Sequence, residues 1–448
     1  MMDFNRIKEL VASEAQSLGV AEYEIYASEG EDVSVDTLNG EINAFSSGTS
    51  AGICLRVGFE GKIGYASSQL MEDGEIRALV SRALDNAKAT EKLGGVGIYS
   101  GSESYEPLDA PRFVKKETAH LRAIAKNTAS EIYAASDKVK DGSSSSALTS
   151  SYAIRISNSY GLSLECSGGI DAVVAGAVVS DGKEFESAYE ISLLDGNTNE
   201  KDVARSAVET AEKRLGAALV PSGKYNVVID GKCMRSILSV FSSAFSAKNA
   251  QMGLSLLAGK EGEQIASEAI TITDDPMREG VPVKTNFDAE GYAARRKEIV
   301  KNGVLTTLLH NRETAKAAGV ESTGNASKGA YYAPVSVSPY AFCIEAGSLT
   351  REELYKKAGD GILITEVKGL HAGANAVTGD FSIESAGFMI RDGRLCEAVK
   401  SFTIAGNFFE LIKSISDVSD KVEVAITSSF TTFGSPDVLA VGVAVAGK

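Results

Sequence analysis

The sequence has 448 residues, of which 44% are apolar and 23% are charged, as is ordinary for a globular protein of two or three domains. Its net charge of −15 disfavours direct binding to nucleic acid or to an anionic membrane surface, because both require a cationic face. The five cysteines are far apart and include no Cys-x-x-Cys pair, which disfavours a disulfide framework or a cysteine-rich zinc site.

Residues 1–92 are predicted to form an N-terminal α+β domain. Asp3 is placed to cap an amphipathic helix, and the apolar pattern then changes to period two, which is typical of strands. The predicted strands are Glu22–Ala27, Val33–Thr37, Ile53–Phe59 and Ile63–Ala66. Glu60-Gly61 is predicted to be a turn, and a second helix follows between Ile76 and Ala87. Lys92–Pro111 contains Gly, Ser and Pro without periodicity, so we interpret it as a linker.

Residues 112–220 are predicted to form a middle α+β region that packs with the first. The region opens with a helix from about Arg112 to Ala135, in which Val114 is expected to lie on the buried face. Strands follow from about Ser144 to Leu194, and a further helix runs from Glu200 to Leu219. The repeated order of helix, strands and helix predicts two α+β layers in succession.

Residues 223–448 are predicted to form a C-terminal β-rich domain, after a boundary at Pro221-Ser222-Gly223. A strand and then a helix near Cys233–Ala247 open this domain. Asn302-Gly303 and Asp392-Gly393 each lie between alternating apolar segments, which is a strong hairpin signal. The predicted fold class is therefore α+β, with an N-terminal α/β-layered region of antiparallel strands and a C-terminal strand-rich, barrel-like domain.

The chain contains three histidines, and none is paired with another histidine or a glutamate at helical spacing. By itself it cannot build the two-histidine zinc site of a zinc protease. Surface or structural roles are favoured for His120 and His310. His371 lies in a glycine-rich loop upstream of Asp380 and Glu384, so a site in which it acts as a metal ligand or a base stays open.

Gly48-Thr49-Ser50-Ala51-Gly52 matches the Gly-x-Ser-x-Gly pattern of serine hydrolases. That pattern supplies a nucleophile only where a strand precedes the serine and a helix follows it. Here a strand is predicted to follow, so a chance match is favoured. No Gly-Lys-Ser/Thr sequence exists, which excludes a Walker A phosphate loop.

Several segments together carry a family resemblance. In the C-terminal half they are Glu321–Ala326, Val377–Ser382, Gly387–Ile390 and Ile404–Asn407. In the N-terminal half the opening helix is followed by Val35–Gly40 and Gly52–Gly64. These segments resemble the TldD/PmbA family, also called modulator of DNA gyrase. The resemblance covers nearly the whole chain, and the order of the separate motifs makes it specific.

The resemblance implies one of two subunit types. TldD-type subunits are metallopeptidases that hold zinc with a His-Glu-x-x-x-His motif on a helix and a cysteine near the C-terminus. PmbA-type subunits, also called TldE, lack these ligands and pair with TldD-type subunits. Alignment on Gly262–Ser267 places the motif near Leu238–Ser243, where no histidine stands, and no cysteine follows Cys396. This pattern is that of a PmbA-type subunit.

The resemblance also implies partners and cofactors. The chain is expected to need no cofactor, with zinc only in a TldD-type partner, and to pair with that subunit or with itself as a dimer. The pair is expected to degrade or process unfolded peptides, without direct contact with nucleic acid or membrane. No signal peptide or membrane-spanning run is visible, so the cytoplasm is the predicted compartment.

The helix near Leu238–Ser243 combines an apolar face with a serine-rich side, and a groove beside it could bind an extended peptide by strand addition. The candidate groove and loop residues are Ser239, Ser243, Thr323, Gly324, Asn325, His371 and Asp380. Two alternatives remain open. One is an independent metallopeptidase with a His371-centred site, and the other is a regulator linked to DNA gyrase.

Overall fold

A computed structural model describes residues 2–91, 95–108 and 113–448. The N-terminal elements are α1 (Phe4–Ser17), β1 (Glu22–Leu38), β2 (Glu41–Phe59), β3 (Lys62–Ser68), α2 (Asp73–Ala89), α3 (Thr118–Ala135), β4 (Ser144–Asn158), β5 (Ser163–Ser180), β6 (Phe185–Leu193) and α4 (Glu200–Glu212). The strands form one antiparallel sheet in the order β3-β2-β1-β4-β5-β6. The order of helix, three strands and helix occurs twice, and the two copies pair through β1 and β4. The two predicted α+β regions therefore share a single sheet.

All four N-terminal helices cover the same face of this sheet. In β1, Ile25 and Ala27 pack against α1 and α2, whereas Val33 and Val35 pack against α3 and α4. These four residues are odd-numbered, and side chains along a strand alternate between its two faces. Tyr26 points to the opposite face, where it packs in a cluster with Phe287 of the C-terminal domain. The sheet thus lies between its own helices and the C-terminal domain.

Three predicted two-residue turns are confirmed. Both turn residues have positive φ in Glu60-Gly61 (47° and 75°), Asn302-Gly303 (46° and 80°) and Asp392-Gly393 (47° and 71°). Asn39-Gly40 forms the turn between β1 and β2 in the same way (55° and 80°). Positive φ at both positions defines the type I′ turn, whose twist matches that of the flanking strands.

The C-terminal elements begin with β7 (Ala218–Leu219), β8 (Gly223–Ile229), α5 (Gly231–Phe241), a 3₁₀ turn (Ser242–Phe245), α6 (Ala247–Gln251), β9 (Ile272–Asp274), β10 (Lys297–Lys301), β11 (Val304–Leu305), α7 (Arg312–Ala318), β12 (Ala326–Ser327), β13 (Ser336–Val337) and β14 (Ala341–Ile344). They continue with α8 (Arg351–Ala358), β15 (Gly361–Lys368), α9 (Leu370–Gly373), β16 (Asp380–Arg391), β17 (Arg394–Asn407), α10 (Phe408–Ser414), β18 (Ile415–Val418), β19 (Glu423–Val424), β20 (Thr432–Ser435) and β21 (Val438–Ala446).

Five of these strands close into a barrel in the order β21-β8-β15-β16-β17, because β17 also pairs with β21. The predicted α+β class with a barrel-like C-terminal domain is confirmed. A second sheet, β11-β10-β9-β14-β20-β19, lies beside the barrel. Helix α5 contacts both β15 of the barrel and β19 and β20 of the second sheet, so it is wedged between the two.

Part of the predicted linker lies against the C-terminal domain and is hydrogen-bonded to it. Within residues 95–108, the Tyr105 hydroxyl donates to the Gly291 carbonyl at 2.7 Å, and the Ala293 N–H donates to Ser102 Oγ at 2.9 Å. Arg295 Nη2 donates to the Ser104 carbonyl at 3.0 Å. These bonds attach the connection between the two N-terminal repeats to the C-terminal domain.

Two predicted helix limits are wrong. Val114 precedes α3 and is 79% exposed, since Lys115 and Lys116 pair with Glu31 and Asp171 of the sheet and hold this segment across it. Arg112, the predicted first residue of that helix, lies outside the described residues. Helix α4 ends at Glu212 instead of Leu219 because the chain turns before β7. None of the helices in the described ranges has the length and apolarity needed to span a bilayer.

Candidate functional site

Helix α5 and the 3₁₀ turn after it contain the segment Leu238–Ser243. Asp230 begins the helix, since its carboxylate accepts the Cys233 N–H at 2.7 Å, and burial raises the pKa of Asp230. The buried face of α5 consists of Cys233, Met234, Ile237, Leu238 and Phe241. The opposite face is polar and borders a groove.

Two of the three serines in this segment donate their hydroxyl groups to the helix backbone. Ser239 Oγ donates to the Ser236 carbonyl at 2.7 Å, and Ser242 Oγ donates to the Ser239 carbonyl at 2.8 Å. Ser243 is exposed. Such bonds back to the preceding turn are the usual way for a serine inside a helix to satisfy its hydroxyl.

The segment does not fit a zinc site. Leu238 is fully buried and has no donor atom, and its neighbours offer hydroxyls where zinc requires imidazole, thiolate or carboxylate. In the part of the chain that is described, no group of three or more His, Cys, Asp or Glu side chains is arranged to hold a metal ion.

The three histidines lie on separate elements. His120 is exposed on α3, as predicted. His310 is 4% exposed just before α7, its ring Nδ1 has no hydrogen-bond partner, and burial lowers its pKa. His371 is exposed on the short helix α9. Their positions explain why no histidine pair forms.

Thr323 and Asn325 belong to a buried polar network. Asn325 Nδ2 donates to Asp274 Oδ2 at 2.7 Å, and Lys297 Nζ lies 3.1 Å from the same oxygen. Thr323 Oγ1 donates to Asn325 Oδ1 at 2.8 Å. Gly324 has φ +68°, and a Cβ there would come within 2.5 Å of a backbone oxygen. The network fixes this loop in the interior, so a structural role accounts for all three candidates.

Asp380 lies at the start of β16, where it is exposed. Asn407 Nδ2 donates to Asp380 Oδ1 at 3.0 Å, and hydrogen bonds from Asn407 and Thr378 lower the pKa of Asp380. Among the described residues, no hydrogen bond or ion pair joins His371 to Asp380 or Glu384. The predicted site residues therefore fall into three places: the α5 serines, the buried network, and this loop.

A groove of about 1230 Å³ lies between the β6 end of the N-terminal sheet and the C-terminal domain. Five consecutive residues of β6, Ser187–Ile191, line it, so the edge of this strand faces the groove rather than one of its faces. Glu423 and Val424 of β19 line it as well. β6 and β19 each end the strand order of their sheet. The groove therefore lies beside two sheet edges.

Ion pairs join the two sides of the groove. Lys232 Nζ of α5 lies 3.0 Å from each carboxylate oxygen of Glu190 on β6. Arg214 Nη1, just after α4, donates to Glu366 Oε1 of the barrel at 3.0 Å. Lys232 is 50% exposed, so water screens its pair strongly.

A second set of charges is buried between the domains. Arg56 Nη1 lies 3.0 Å from Glu24 Oε1, and the two side chains are 3% and 1% exposed. Glu24 Oε2 and Arg56 Nε have no hydrogen-bond partner, and burial raises the pKa of Glu24. Two charges of the C-terminal domain also affect this carboxyl group. The Glu290 carboxylate raises the pKa of Glu24, and the Lys328 ammonium lowers it.

Asp288 lies in the same interface and is 2% exposed. Its carboxylate accepts the backbone N–H groups of Glu290, Tyr292 and Ala326 at 2.9–3.0 Å. Burial and the nearby Glu290 carboxylate nevertheless raise the pKa of Asp288 to about 8. Burial and the neighbouring carboxylate thus favour the protonated form of Asp288, against the three N–H groups that favour the ionised form.

Sequence reasoning missed the charged residues of the groove. A polar face of α5 was visible in the sequence, because its residues recur at helical spacing opposite the predicted apolar face. They are Lys232, Arg235, Ser236 and Ser239. Glu190 could not be found in this way, because only the folded chain brings β6 beside α5.

Comparison with known proteins agrees with this architecture. The model of the PmbA/TldA metallopeptidase C-terminal domain matches residues 222–447, and that of PmbA/TldA metallopeptidase domain 1 matches residues 23–87. The chain belongs to the PmbA/TldD family. The resemblance inferred from the sequence motifs is thus confirmed.

Similar members of the PmbA/TldD family align over most of their length. A metalloprotease of Methanothermobacter thermautotrophicus is 30% identical over 409 residues, 87% of this chain and 86% of that protein. Metalloprotease PmbA of Escherichia coli O157:H7 is 25% identical over 89% of this chain and 88% of that protein. The crystal structure of a Thermotoga maritima protein described as a modulator of a DNA gyrase superposes on this chain with a TM-score of 0.90. The two sequences are 29% identical, and the match covers 99% of this chain and 100% of that chain.

Proposed function

We propose that this chain is a PmbA/TldE-type subunit without its own zinc chemistry, which pairs with a TldD-type zinc peptidase to degrade or process unfolded peptides. The observation that carries the proposal is the chemistry of α5. Where the family resemblance places the zinc motif, Leu238 is buried in the core and the hydroxyl of Ser239 bonds to the preceding turn. No side chain there is suited to bind zinc.

The groove supports the peptide part of the proposal. An extended chain can add to an unpaired sheet edge through its backbone, without regard to its sequence. β6 offers such an edge beside α5. In a pair of subunits, this chain would hold an unfolded segment while the partner supplies the metal.

We place this pair in the cytoplasm. All five cysteines are free, and Cys54, Cys166, Cys233 and Cys343 are buried. Free thiols without disulfides are usual for proteins in reducing compartments. The remaining function considered, a regulator linked to DNA gyrase, follows the name of the Thermotoga maritima relative. The net charge of −15 argues against direct contact with DNA.

The decisive experiment compares the purified chain, a TldD-type partner that carries His-Glu-x-x-x-His, and the two co-expressed. Zinc content and cleavage of an unfolded peptide are measured with and without a chelator. We expect stable co-purification, zinc only in samples containing the partner, and cleavage by the pair that the chelator abolishes.

Two variants sharpen this experiment. Replacing the first motif histidine of the partner should abolish cleavage by the pair, whereas His371→Ala in this chain should leave zinc content and cleavage unchanged. The proposal fails if the chain alone holds zinc and cleaves peptides in a chelator-sensitive way. Loss of that zinc in the His371→Ala variant would establish the alternative site instead.

A further inference from the structure

The groove is more cationic than the rest of the molecule. Its lining includes six basic side chains, Lys213, Arg214, Lys232, Arg235, Arg351 and Lys368, and four acidic ones, Glu190, Asp230, Glu366 and Glu423. The whole chain has the opposite balance, with 45 basic and 60 acidic residues. A region that reverses the sign of the overall charge is suited to attract an anionic group.

Four of these six cations have an acidic partner. Lys232 pairs with Glu190, Arg351 pairs with the buried Asp437, and Glu366 pairs with both Arg214 and Lys368. The pairs of Lys232 and Arg214 connect the two walls of the groove, whereas those of Arg351 and Lys368 lie within the C-terminal domain.

Arg235 and Lys213 are different. Within the described parts of the chain, neither side chain has an acidic partner within 4 Å or a side-chain hydrogen bond. Arg235 is partly buried on α5, one turn after Lys232, and Lys213 is exposed at the end of α4. Two cations without partners therefore border the groove from its opposite walls, one from each domain.

The shape of the groove indicates which kind of ligand would carry the anionic group. Beside the edge of β6, an extended peptide fits better than a compact ligand, because its backbone can pair with the strand. A guanidinium binds a carboxylate through two parallel hydrogen bonds, and such charged bonds are the stronger ones. A nucleic acid is disfavoured, since a polyanion would be repelled by the remaining acidic surface.

We propose that the groove selects extended peptides that carry a carboxylate, and that Arg235 and Lys213 bind this group. This inference rests on the proposed peptide-handling function and adds a preference in substrate charge to it. The carboxylate can belong to an acidic side chain or to the peptide C-terminus, and both sources supply the same recognised chemistry.

The test uses fluorescent ten-residue unfolded peptides and the full chain, alone and with its TldD-type partner. One peptide contains two central glutamates, a matched one has glutamines there, and each is made with a free and an amidated C-terminus. Binding is measured by fluorescence anisotropy. We expect at least one source of carboxylate to strengthen binding about tenfold, which corresponds to one charged hydrogen bond.

Arg235→Gln and Lys213→Gln should each weaken binding of the carboxylate peptide toward that of its neutral match, and leave binding of the neutral peptide unchanged. Matched controls are Arg122→Gln on α3 and Lys201→Gln on α4, which lie outside the groove lining. Both groove variants should unfold at the wild-type temperature, since neither side chain has a partner to lose.

If all peptides bind equally well to wild type and variants, the charge inference is overturned while the peptide-handling function stands. If glutamate, glutamine, free and amidated peptides all fail to bind both the chain and the pair, both proposals fail. A tenfold preference that persists in Arg235→Gln and Lys213→Gln would also overturn the assignment of the carboxylate to these two residues.

Discussion

Two regions of this molecule contain ion pairs of similar length that differ in how deeply they are buried. Between the domains, Glu24 and Arg56 are almost fully buried and leave polar atoms unsatisfied. In the groove, Lys232 and Glu190 are paired at a similar distance, but both side chains contact solvent, so water screens their charges. A buried charge is costly to leave without its partner, whereas an exposed pair contributes little to stability. The buried pair, which joins β1 to β2, is therefore needed for stability, and the groove remains available for binding.

The largest expected effect comes from Arg56→Met, which leaves Glu24 buried without a partner. We expect the free energy of unfolding to fall by about 3–5 kcal/mol, the usual result of removing one member of a buried ion pair. Urea unfolding followed by circular dichroism measures it. Because the orphaned carboxylate must take up a proton, the loss should grow as the pH is raised.

The double variant Arg56→Met/Glu24→Gln should recover much of this loss, since it removes both charges. Arg77→Met, which breaks the partly exposed pair with Glu14, is the matched control and should cost less than about 1 kcal/mol. Equal losses in Arg56→Met and Arg77→Met would mean that burial does not distinguish the two regions.

The next effect is one of pH and arises from Asp288. Its folded pKa of about 8 lies above the unfolded value of roughly 3.9, so the folded chain keeps a proton that the unfolded chain releases between these values. The free energy of unfolding should therefore fall as pH rises through this window, by up to about 1.4 kcal/mol per pH unit. Urea titrations at pH 5, 6, 7 and 8 measure this slope.

Asp288→Asn should flatten the slope, and Asp380→Asn, at an exposed carboxylate, should leave it unchanged. The same slope in wild type and Asp288→Asn would show that the three backbone N–H groups keep Asp288 ionised. In that case the pH sensitivity would not originate in the domain interface.

The smallest effect is expected in the groove. Lys232→Gln removes a pair whose lysine is 50% exposed, so the free energy of unfolding should change by less than about 1 kcal/mol. The single variant Glu190→Gln and the double variant Lys232→Gln/Glu190→Gln complete a double-mutant cycle. This cycle measures the coupling energy between the two side chains. A coupling energy above about 2 kcal/mol would place this pair in the same class as Glu24–Arg56 and remove the contrast between the two regions.

Local signals in the sequence were sufficient for much of the fold. Turns such as Asn302-Gly303 were predictable because positive φ at both positions favours Asn and Gly, and the alternation of apolar residues placed most strands. The continuity of β2 through Gly48–Ser50 was missed. That segment is exposed and rich in small polar residues, so only its pairing with β1 makes it a strand.

The candidate site was harder to predict because its parts are distant in the chain. The apolar face of α5 and the absence of zinc ligands at Leu238–Ser243 were visible in the sequence. Thr323 and Asn325 were singled out through the family resemblance, and the structure shows them in a buried network with Asp274 and Lys297. No local pattern indicates such a network, because its members come from three separate segments.

The closed barrel has a consequence for the order in which the chain can fold during its synthesis. β21 fills the place between β8 and β17, although it follows β8 by more than two hundred residues. Until the ribosome has produced Val438–Ala446, β8 lacks one neighbour and the core behind it stays open. The N-terminal sheet needs nothing beyond Leu193 for its pairing, so it can form first. A pause late in translation would thus leave β8 with an unpaired edge beside a sheet whose strands are all present.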